Sequence, residues 1–551
     1  MTPAEMIAMD ERLRSSRANL MLRWQEVAEL IAPHEADFTV QRAVGQLRGL
    51  EQFDSAPATA AENFANGLWS LLTNPATTWF TLEPEAEALR ADQEVRAWCE
   101  VVGRRMLTEL RADGMRFYGA MLEFNRAMVR YGTALLYADV APEGTRMRWW
   151  APRLRDCVIA EDDEGRVDFV SRRWKWTARQ AYARWGTRCG EAICKAMEVT
   201  PDREFEFLHV VRPNKERVPG ARDARGKAFT SCYVGMHDRN KLEEGGLDRN
   251  PWVVGRWAQM LGTPYGYSPA MVALADTKTL NVMARTFIVS SQKAADPPIL
   301  APDENALGPI RIRPGGIIYG AVDMNGNQLV RPMEHRGAFT LTDAMMEAKR
   351  QAIRDAFLNS ALEMPDRPNR TATEILQREE DRMRLMAPNL VRLQADVLDP
   401  LLEMIFGVME AGGAFPPAPA QLAEAGGIVS VQYVSPLARA QRATEAQGIL
   451  RAMEAVQAIA AVKPAVVQNF DLDRAARRVA ETLGLPGDLM RSPELVVADR
   501  QAEAQAMAQA AQAEQAAAGV DAAATLAGAA AQAERAPNVL AALGVEGMAR
   551  A

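Results

Sequence analysis

The 551-residue chain lacks long apolar runs. A bilayer-spanning helix needs about 20 consecutive apolar residues, and no stretch approaches that length. The opening MTPAEMIAMDERLRSSRANL is charged and has no apolar core of the kind a signal peptide carries. Both observations count against a membrane channel. Cysteine is scarce and odd in number: Cys99, Cys157, Cys189, Cys194 and Cys232 show no framework of pairs, which points to reduced thiols in a cytosol. There are four histidines and neither a CxxC nor an HxxxH pair. A metal site assembled from Cys189, Cys194, Cys232, His209 and His237 would lack the usual spacing of zinc ligands, and buried thiols are the ordinary alternative. No metal or cofactor is expected. Positive charge is not in excess either: 64 basic against 71 acidic residues give a formal net charge of −7. A protein that grips DNA by neutralising phosphates should be basic somewhere, so any DNA contact here should be loose and mobile.

Catalytic signatures are missing too. GARDARGK at Gly220–Lys227 has five residues between its glycines where a phosphate loop has four, and Ala228 follows the lysine, so it reads as a surface turn. Gly266-Tyr267-Ser268-Pro269-Ala270 begins like a nucleophile elbow but lacks the closing glycine. It reads instead as a helix start, with Ser268 as cap and Pro269 at the first helical position. Glu161-Asp162-Asp163-Glu164 falls on a predicted hairpin turn, where solvated charge is commoner than a two-metal site. Trp149, Trp150, Trp174, Trp176, Trp185, Trp252 and Trp257 could form a stacking platform for single-stranded nucleic acid. Strand-borne tryptophans are more often core or subunit interface. The chain is not expected to be an enzyme.

What is present is a multi-domain, α+β, mainly α-helical chain. Leu13, Leu20, Trp24, Val27 and Ile31 recur at helical spacing and predict one helix that Pro33 ends. Further helices are predicted at Pro57–Leu72, after Asp54 and Ser55 as caps, and near Asp92–Arg111 and Phe117–Tyr131. From Gly132 to Trp257 the pattern is that of strands, including a hairpin in CVIAEDDEGRVDFVSRRWKW, with a helix at Thr177–Met197 interrupting a meandering antiparallel sheet. Helix returns at Ser268–Lys293. A Pro/Gly-rich excursion separates it from a helix at Thr340–Leu358, whose apolar stripe reads Leu341, Met345, Ala348, Ala352, Ile353 and Phe357, with Lys349, Arg350 and Arg354 facing elsewhere. A long helix from Thr371 to Met409 holds Leu376, Met383, Leu390, Leu393, Val397 and Met404 on one side, with kinks predicted at Pro388 and Pro400. GGAFPPAPAQLAEAGG reads as a loop. From Pro436 the propensity is helical, and the Ala/Gln-rich end buries too little area to order itself alone.

Five pieces, in order, resemble the portal (head-to-tail connector) family of short-tailed double-stranded DNA bacteriophages. They are Trp24-x-x-x-Ala28-x-x-Ile31-x-Pro33 with FDSAPATAAENFANGLWSLLTNPATTWFTL, Tyr131-Gly132-Thr133-Ala134, GTPYGYSPAMVALADTKTLNVM, RTATEILQREEDRMRLMAPNLVRLQADVLDPLLEMIF, and VQYVSPLARAQR. The resemblance spans about residues 10–445. It implies a portal-like fold in a homo-oligomeric ring, twelvefold in the family, around a DNA channel at a capsid vertex of the virion, assembled in the host cytoplasm. The implied parts are a wing (1–267), a stem helix (268–293), a clip (294–339), a second stem helix (340–358), a tunnel loop (359–370), a wing helix with its return (371–435) and a helical crown (436–551). Implied partners are terminase, major capsid and scaffolding proteins, a tail adaptor and non-specifically held double-stranded DNA. Arg367 and Arg370 on the loop fit contact with passing DNA. Lys278, Arg285, Lys293, Lys349, Arg350 and Arg354 on the stem are further candidates, with ordinary solvated helix charge as the alternative. Arg311, Arg313, Asp323 and Asn325 fall in the clip and are the candidates for motor and tail docking. A virion scaffolding or internal core protein, assembled through the C-terminal helices, is the competing reading.

Overall fold

The computed structural model describes residues 1–40, 46, 51–112, 114–140, 147–221, 223–300, 317, 321–333, 339–359, 386–424, 426, 429–433, 448–457, 470–482, 495–510 and 524–528. The chain divides into two compact units, residues 1–89 with 98–441, and residues 90–97 with 442–551.

The first unit opens with α1 (Pro3–Ser16) and α2 (Ala18–Ile31), where one helix was expected. The break is at Arg17. Its buried guanidinium turns inward and donates to the carbonyls of Leu154 (3.0 Å), Arg155 (2.6 Å) and Cys157, and lies over the rings of Trp24 and Tyr265. The break thus coincides with the point where the chain is anchored through this side chain. Thr2 and Glu5 form a capping box at the start of α1. Asp10, fully buried, accepts from the Ser171 hydroxyl at 2.5 Å, from Arg14 at 2.9 Å and from Arg173. Two long-range partners, Ser171 and Arg173, therefore clamp α1 to the sheet, where Met6 and Ile7 pack on Phe169, Leu208, Val210, Cys232 and Val234.

The expected meander resolves into two sheets. After α3 (Ala56–Leu72), β1 (Phe80–Pro84), α4 (Gln93–Arg111) and α5 (Phe117–Tyr131) come β2 (Thr133–Val140) and β3 (Met147–Trp150). The expected caps divide at α3: Ser55 makes no side-chain cap bond, whereas Asp54 accepts the Ala56 N–H at 2.8 Å. Then follow β4 (Cys157–Glu161), β5 (Val167–Thr177), β6 (Glu204–Pro213), β7 (Phe229–Gly235), β8 (Asn240–Leu247) and β9 (Trp252–Arg256). Strands β4-β5-β6-β7-β8 form a five-stranded antiparallel meander, while β2 sits between β3 and β9. The hairpin expected in the β4–β5 region is present, with Gly165 at φ +78° in its turn and Asp162 accepting the N–H groups of Glu164 and Arg166. The helix expected at Thr177–Met197 is two, α6 (Ala178–Trp185) and α7 (Glu191–Val199), divided by a 3-10 turn and by Gly190 at φ +102°. A side chain at Gly190 would run into the Asp238 carboxylate. Trp149, Trp174, Trp185, Trp252 and Trp257 are buried, as core tryptophans.

Within the sheets lies His209, on β6. Its Nε2 is 2.8 Å from the Ser231 hydroxyl and its ring stacks on Tyr233 at 4.2 Å. Burial, aided by the Arg172 and Arg184 charges, pushes its pKa down to about 3.

The two small strands β10 (Ala258–Gln259) and β11 (Gly266–Tyr267) lead into α8 (Pro269–Ala295), which Ser268 caps by accepting the Met271 N–H at 3.0 Å. Cap and proline stand where the sequence placed them. Strands β12 (Ile299–Leu300) and β13 (Arg331–Pro332) pair at the foot of the excursion. Next is α9 (Phe339–Ala356). Its buried residues are Met346, Ile353 and Phe357, while Met345 and Ala348 are exposed. Ile353 and Phe357 of the expected stripe are buried, but in the first half of the helix the buried position is Met346 and not Met345 or Ala348, and Lys349 and Arg350 lie beside the buried row, not away from it. Residues 386–393 are helical and continue through a π-helical turn, Gln394–Leu398, into α10 (Asp399–Ala411). The predicted disturbance at Pro400 takes this form because proline cannot donate to the carbonyl four residues earlier, and a widened turn removes the clash. Leu390, Leu393, Val397 and Met404 are buried as the periodicity predicted. The expected loop after α10 contains one short helix, Ala420–Glu424, before β14 (Val429–Tyr433) returns to pair with β1. Leu376, Met383, Pro436 and the loop 360–370 lie outside the described residues.

In the second unit helix is present at 448–457, Leu472–Thr482, 495–510 and 524–528, in line with the propensity. Arg500 pairs with Asp473 at 2.9 Å.

Two outcomes are expected from this packing. Gly132 has φ +78°, and a Cβ there would sit 2.5 Å from the Gly266 carbonyl oxygen. Gly132→Ala should cost at least about 3 kcal/mol in urea unfolding, strain plus backbone clash, whereas Gly262→Ala, with open space around its φ +80° position, should cost about 1 kcal/mol. Equal losses would show that the crossing is not tight. For His209, the unfolded chain takes up a proton below its ordinary value of 6.5 that the native chain refuses until about 3. Stability present above pH 6.5 is therefore eroded as pH falls through that window, by about 1.4 kcal/mol per pH unit at most. The stability difference between wild type and His209→Gln should shrink between pH 7 and pH 4; a constant difference would mean that His209 is not held neutral.

Candidate functional site

The sequence places its candidate cations on a helix pair and on two flanking segments. At about 1.5 Å per residue, the 27 residues of α8 are about 40 Å long. Its first half is rooted in the body. The Gly266 N–H donates to Thr133 Oγ1 at 2.7 Å, the Ser268 hydroxyl donates to the Arg130 carbonyl at 2.8 Å, and the Trp257 N–H donates to the Gly132 carbonyl at 3.0 Å. Ala270, Met271, Ala273, Leu274, Thr277, Leu280 and Ala284 are buried. From Arg285 to Ala295 no residue of α8 is buried.

Beneath this root lies a charged cluster. Arg130, almost fully buried, pairs with Glu35 at 2.6 Å and with Glu62, and the Tyr131 hydroxyl donates to Glu35 at 2.8 Å. Burial alone would raise the Glu35 carboxyl. Hydrogen bonding with His34, the Arg130 charge and the Tyr131 hydroxyl outweigh it and bring the pKa down to about 2. The group is charged at any pH at which the protein works, and it ties α5 to the segment after α2. Sequence reasoning missed it: Glu35, Glu62 and Arg130 lie on three separate elements, and no local spacing joins them.

Most stem candidates are engaged inside the subunit. Lys349 Nζ is 2.7 Å from Asp276 of α8, and Lys278 is 2.9 Å from Glu26 of α2. Arg350 donates from Nε (3.0 Å) and Nη2 (2.9 Å) to Asp54 and pairs with Glu347 at 3.2 Å. Arg354 donates to Glu347 at 3.0 Å and to Gln351 at 3.2 Å. The Arg285 guanidinium lies 5.8 Å from the Phe53 ring centroid. Lys293 is exposed in the last turn of α8 and has no ion-pair partner among the described residues. These contacts staple the helix pair to α2 and to the segment before α3. Asn281 completes the staple, accepting the Phe53 N–H at 2.8 Å and donating to the Glu51 carbonyl at 2.6 Å. An open groove of about 510 Å³, lined by Phe53, Asp54, Asn63, Glu347, Arg350 and Arg354, lies where the staple meets α3. Its acids and cations pair with each other, so its charges balance.

Of the clip candidates, Asp323 accepts the N–H groups of Asn325 and Asn327 at 2.8 Å each, and the Asn327 side-chain amide at 3.0 Å. The Asn327 side-chain bond leads the contacts that hold the Asp323 carboxyl below the usual range. Asp323 therefore shapes the turn that exposes Met324 and Asn325. Arg311, Arg313, Arg367 and Arg370 lie outside the described residues. Among the described residues, no group of three metal-ligating side chains converges, and no helix is long and apolar enough to cross a membrane. Cys99, Cys157, Cys189 and Cys232 are buried; the Cys189 and half-buried Cys194 sulfurs lie 3.5 Å apart.

The arrangement is thus a helix pair whose charges are mostly compensated, and the chain that carries it is matched by known proteins along nearly its whole length. A probable portal protein of Bordetella phage BPP-1 is 29% identical over 515 residues, covering 91% of this chain and 91% of that protein. A portal protein of Salmonella phage epsilon15 is 25% identical over 520 residues, covering 91% and 92%. Among solved structures, a chain in the neck of an empty GTA particle aligns with a TM-score of 0.39 and 13% identity, over 72% of this chain and 86% of that one. The family model of the bacteriophage head to tail connecting protein matches residues 4–490, and the chain belongs to that family.

Proposed function

We propose that copies of this chain close into a ring of about twelve at one vertex of the capsid. There the ring would nucleate assembly with the major capsid and scaffolding proteins, dock terminase, pass double-stranded DNA, and retain it until a tail adaptor binds. The observation that carries this reading is the family match from residue 4 to residue 490. The reading assigns no catalysis to the chain; the ATPase of packaging is a separate protein.

The parts follow from it. Residues 268–293 and 340–358 are the stem, 294–339 the clip, 359–370 the tunnel loop, 1–267 and 371–435 the wing, and 436–551 the crown. A conduit must not hold what it conducts. Counterion release makes each free phosphate contact add to affinity, so a dense basic lining would arrest the genome. A chain with net charge −7, with four of its six candidate stem cations already paired, suits sliding. We assign lumen contact first to Arg367, Arg370 and Lys293. Lys278, Arg285, Lys349, Arg350 and Arg354 contribute a weaker field because their charges are shared with acids or an aromatic ring. Arg311, Arg313 and Asn325 are assigned to motor and tail docking, with Asp323 setting the turn.

Arg367→Ala combined with Arg370→Ala should leave capsid assembly intact and lower the yield of DNA-filled particles. Normal yields of filled particles would remove the loop from the DNA path. Deletion from Val497 onward should leave the ring intact, as judged by particle mass; loss of the ring would place its interface in the Ala/Gln-rich end.

A further inference from the structure

Two of the five cysteines touch: the Cys189 and Cys194 sulfurs lie 3.5 Å apart. Cys99, Cys157 and Cys232 are buried elsewhere, and among the described residues no other two cysteine sulfurs are in contact. The backbone brings the pair together. Cys189 ends the 3-10 turn after α6, and Cys194 stands in the first turn of α7, where its N–H donates to the Gly190 carbonyl at 3.1 Å. The strand turn between β7 and β8 holds this corner from the other side. The Asn240 side-chain amide donates to the Arg188 carbonyl at 3.4 Å, and Gly190 lies so close to Asp238 that a Cβ there would meet the carboxylate.

The two thiols differ in surroundings. Cys189 is fully buried in a cluster with Trp185, Ile193 and Phe207, whereas Cys194 is half-buried at the edge of that cluster. Burial, with the Cys194 contact second to it, pushes the Cys189 thiol up to about 12. Solvent therefore reaches one sulfur of the pair, and the other reacts only through the first. Two adjacent thiols can ligate a metal or exchange with a disulfide. Ligation needs further donors, and among the described residues no third metal-ligating side chain joins them. Exchange needs only a partly exposed thiol and a second one in contact with it. Cysteines stay reduced in a cytosol and oxidise outside it, and a protein of the virion meets both.

We propose that Cys189 and Cys194 are a reversible oxidation site, two thiols in reducing surroundings and a disulfide after reaction with low-molecular-weight disulfides of the glutathione class. The Cys194 thiol loses its proton to solvent, and its sulfur attacks one sulfur of the small disulfide, whose S–S bond breaks to release a thiolate. The Cys189 thiol then loses its proton in turn, and its sulfur attacks the Cys194 sulfur of the mixed disulfide, releasing the second thiolate. The two released thiolates take up the two protons. The cysteines are oxidised by two electrons, and the small disulfide is reduced to two thiols. The new bond fastens α7 to the corner that Asp238 and Asn240 hold. None of this depends on the number of subunits or on a ring.

Oxidised glutathione added to the native full chain tests it. Remaining thiols are alkylated in denaturant and the chain is digested with trypsin, which cuts after Arg188 and Lys195 and leaves both cysteines on one peptide, Cys189–Lys195. That peptide should be unalkylated and two hydrogens lighter than its reduced form, and dithiothreitol should restore it. Cys99, Cys157 and Cys232 should all be alkylated, so free thiols fall from five per chain to three. Cys189→Ala should instead keep a glutathione adduct on Cys194, and Cys194→Ala should leave Cys189 unmodified. Closure should raise the thermal midpoint of unfolding by about 2–4 °C in wild type and leave it unchanged in Cys194→Ala. A wild-type peptide alkylated at both cysteines would overturn the proposal. So would a lasting adduct on Cys194 that Cys189 does not displace, or a bond from either cysteine to one of the other three. A closed bond with an unmoved midpoint would overturn the fastening of α7.

Discussion

The structure depends on one close approach, where the backbone of Gly132 crosses that of Gly266. Neither position has room for a side chain: a Cβ on Gly132 meets the Gly266 carbonyl, and one on Gly266 meets the Gly132 carbonyl. The crossing lies where α5 ends, β2 begins and α8 is about to start. Around it the remaining polar groups find partners in one another. Thr133 takes the Gly266 N–H, Ser268 reaches the Arg130 carbonyl, and the Trp24 indole N–H reaches the Tyr131 carbonyl at 3.1 Å. Trp24 then packs edge-on against Tyr265 at 5.3 Å. Three of the five pieces that carry the family resemblance, those around Trp24, Gly132 and Tyr265–Ser268, are thus parts of one junction that fixes the direction of the long helix.

A helix directed this way must still be kept from swinging, and here the charges matter. Lys278 to Glu26, Lys349 to Asp276 and Arg350 to Asp54 each join α8 or α9 to a neighbouring element. Exposed pairs contribute little individually, about 0–1 kcal/mol. The Arg350–Asp54 pair is better placed, because two nitrogens engage a carboxylate that is only 9% exposed. Orientation of the pair, more than affinity for a polyanion, is what these side chains supply. The same pairs that join the helices to their neighbours also neutralise the cations they use, which accords with the proposed passage of DNA.

Local features were legible in the sequence. Ser268 and Pro269 announce the start of α8, the Asp-Glu-Gly turn announces the β4–β5 hairpin, and Leu390, Leu393, Val397 and Met404 mark their buried face, because each signal lies within one or two turns of chain. The failures share a different cause. The first helix breaks at Arg17, whose partners are carbonyls 137–140 positions away. Lys349 and Arg350 sit beside the buried row of α9 because Asp276 and Asp54, 73 and 296 positions earlier, neutralise them. A reading by periodicity assigns lysine and arginine to solvent and so misplaces the first half of the stripe. Strand β8, NKLEEGGL, is charged and glycine-containing, and it is held by pairing with β7, not by propensity. Charge sign alone likewise does not disclose that Lys278, Lys349 and Arg350 have acidic partners in the chain.

The central claim is that this chain builds a closed ring whose stem helices are directed by the junction at Gly132. Electron microscopy of the purified full chain, with image classification to resolve symmetry, tests it most directly. The account predicts rings with a central hole, with α8 running from the Gly132 junction toward the clip in every subunit. Filaments, or closed particles without a channel, would contradict it and favour assembly through the C-terminal helices as an internal core protein.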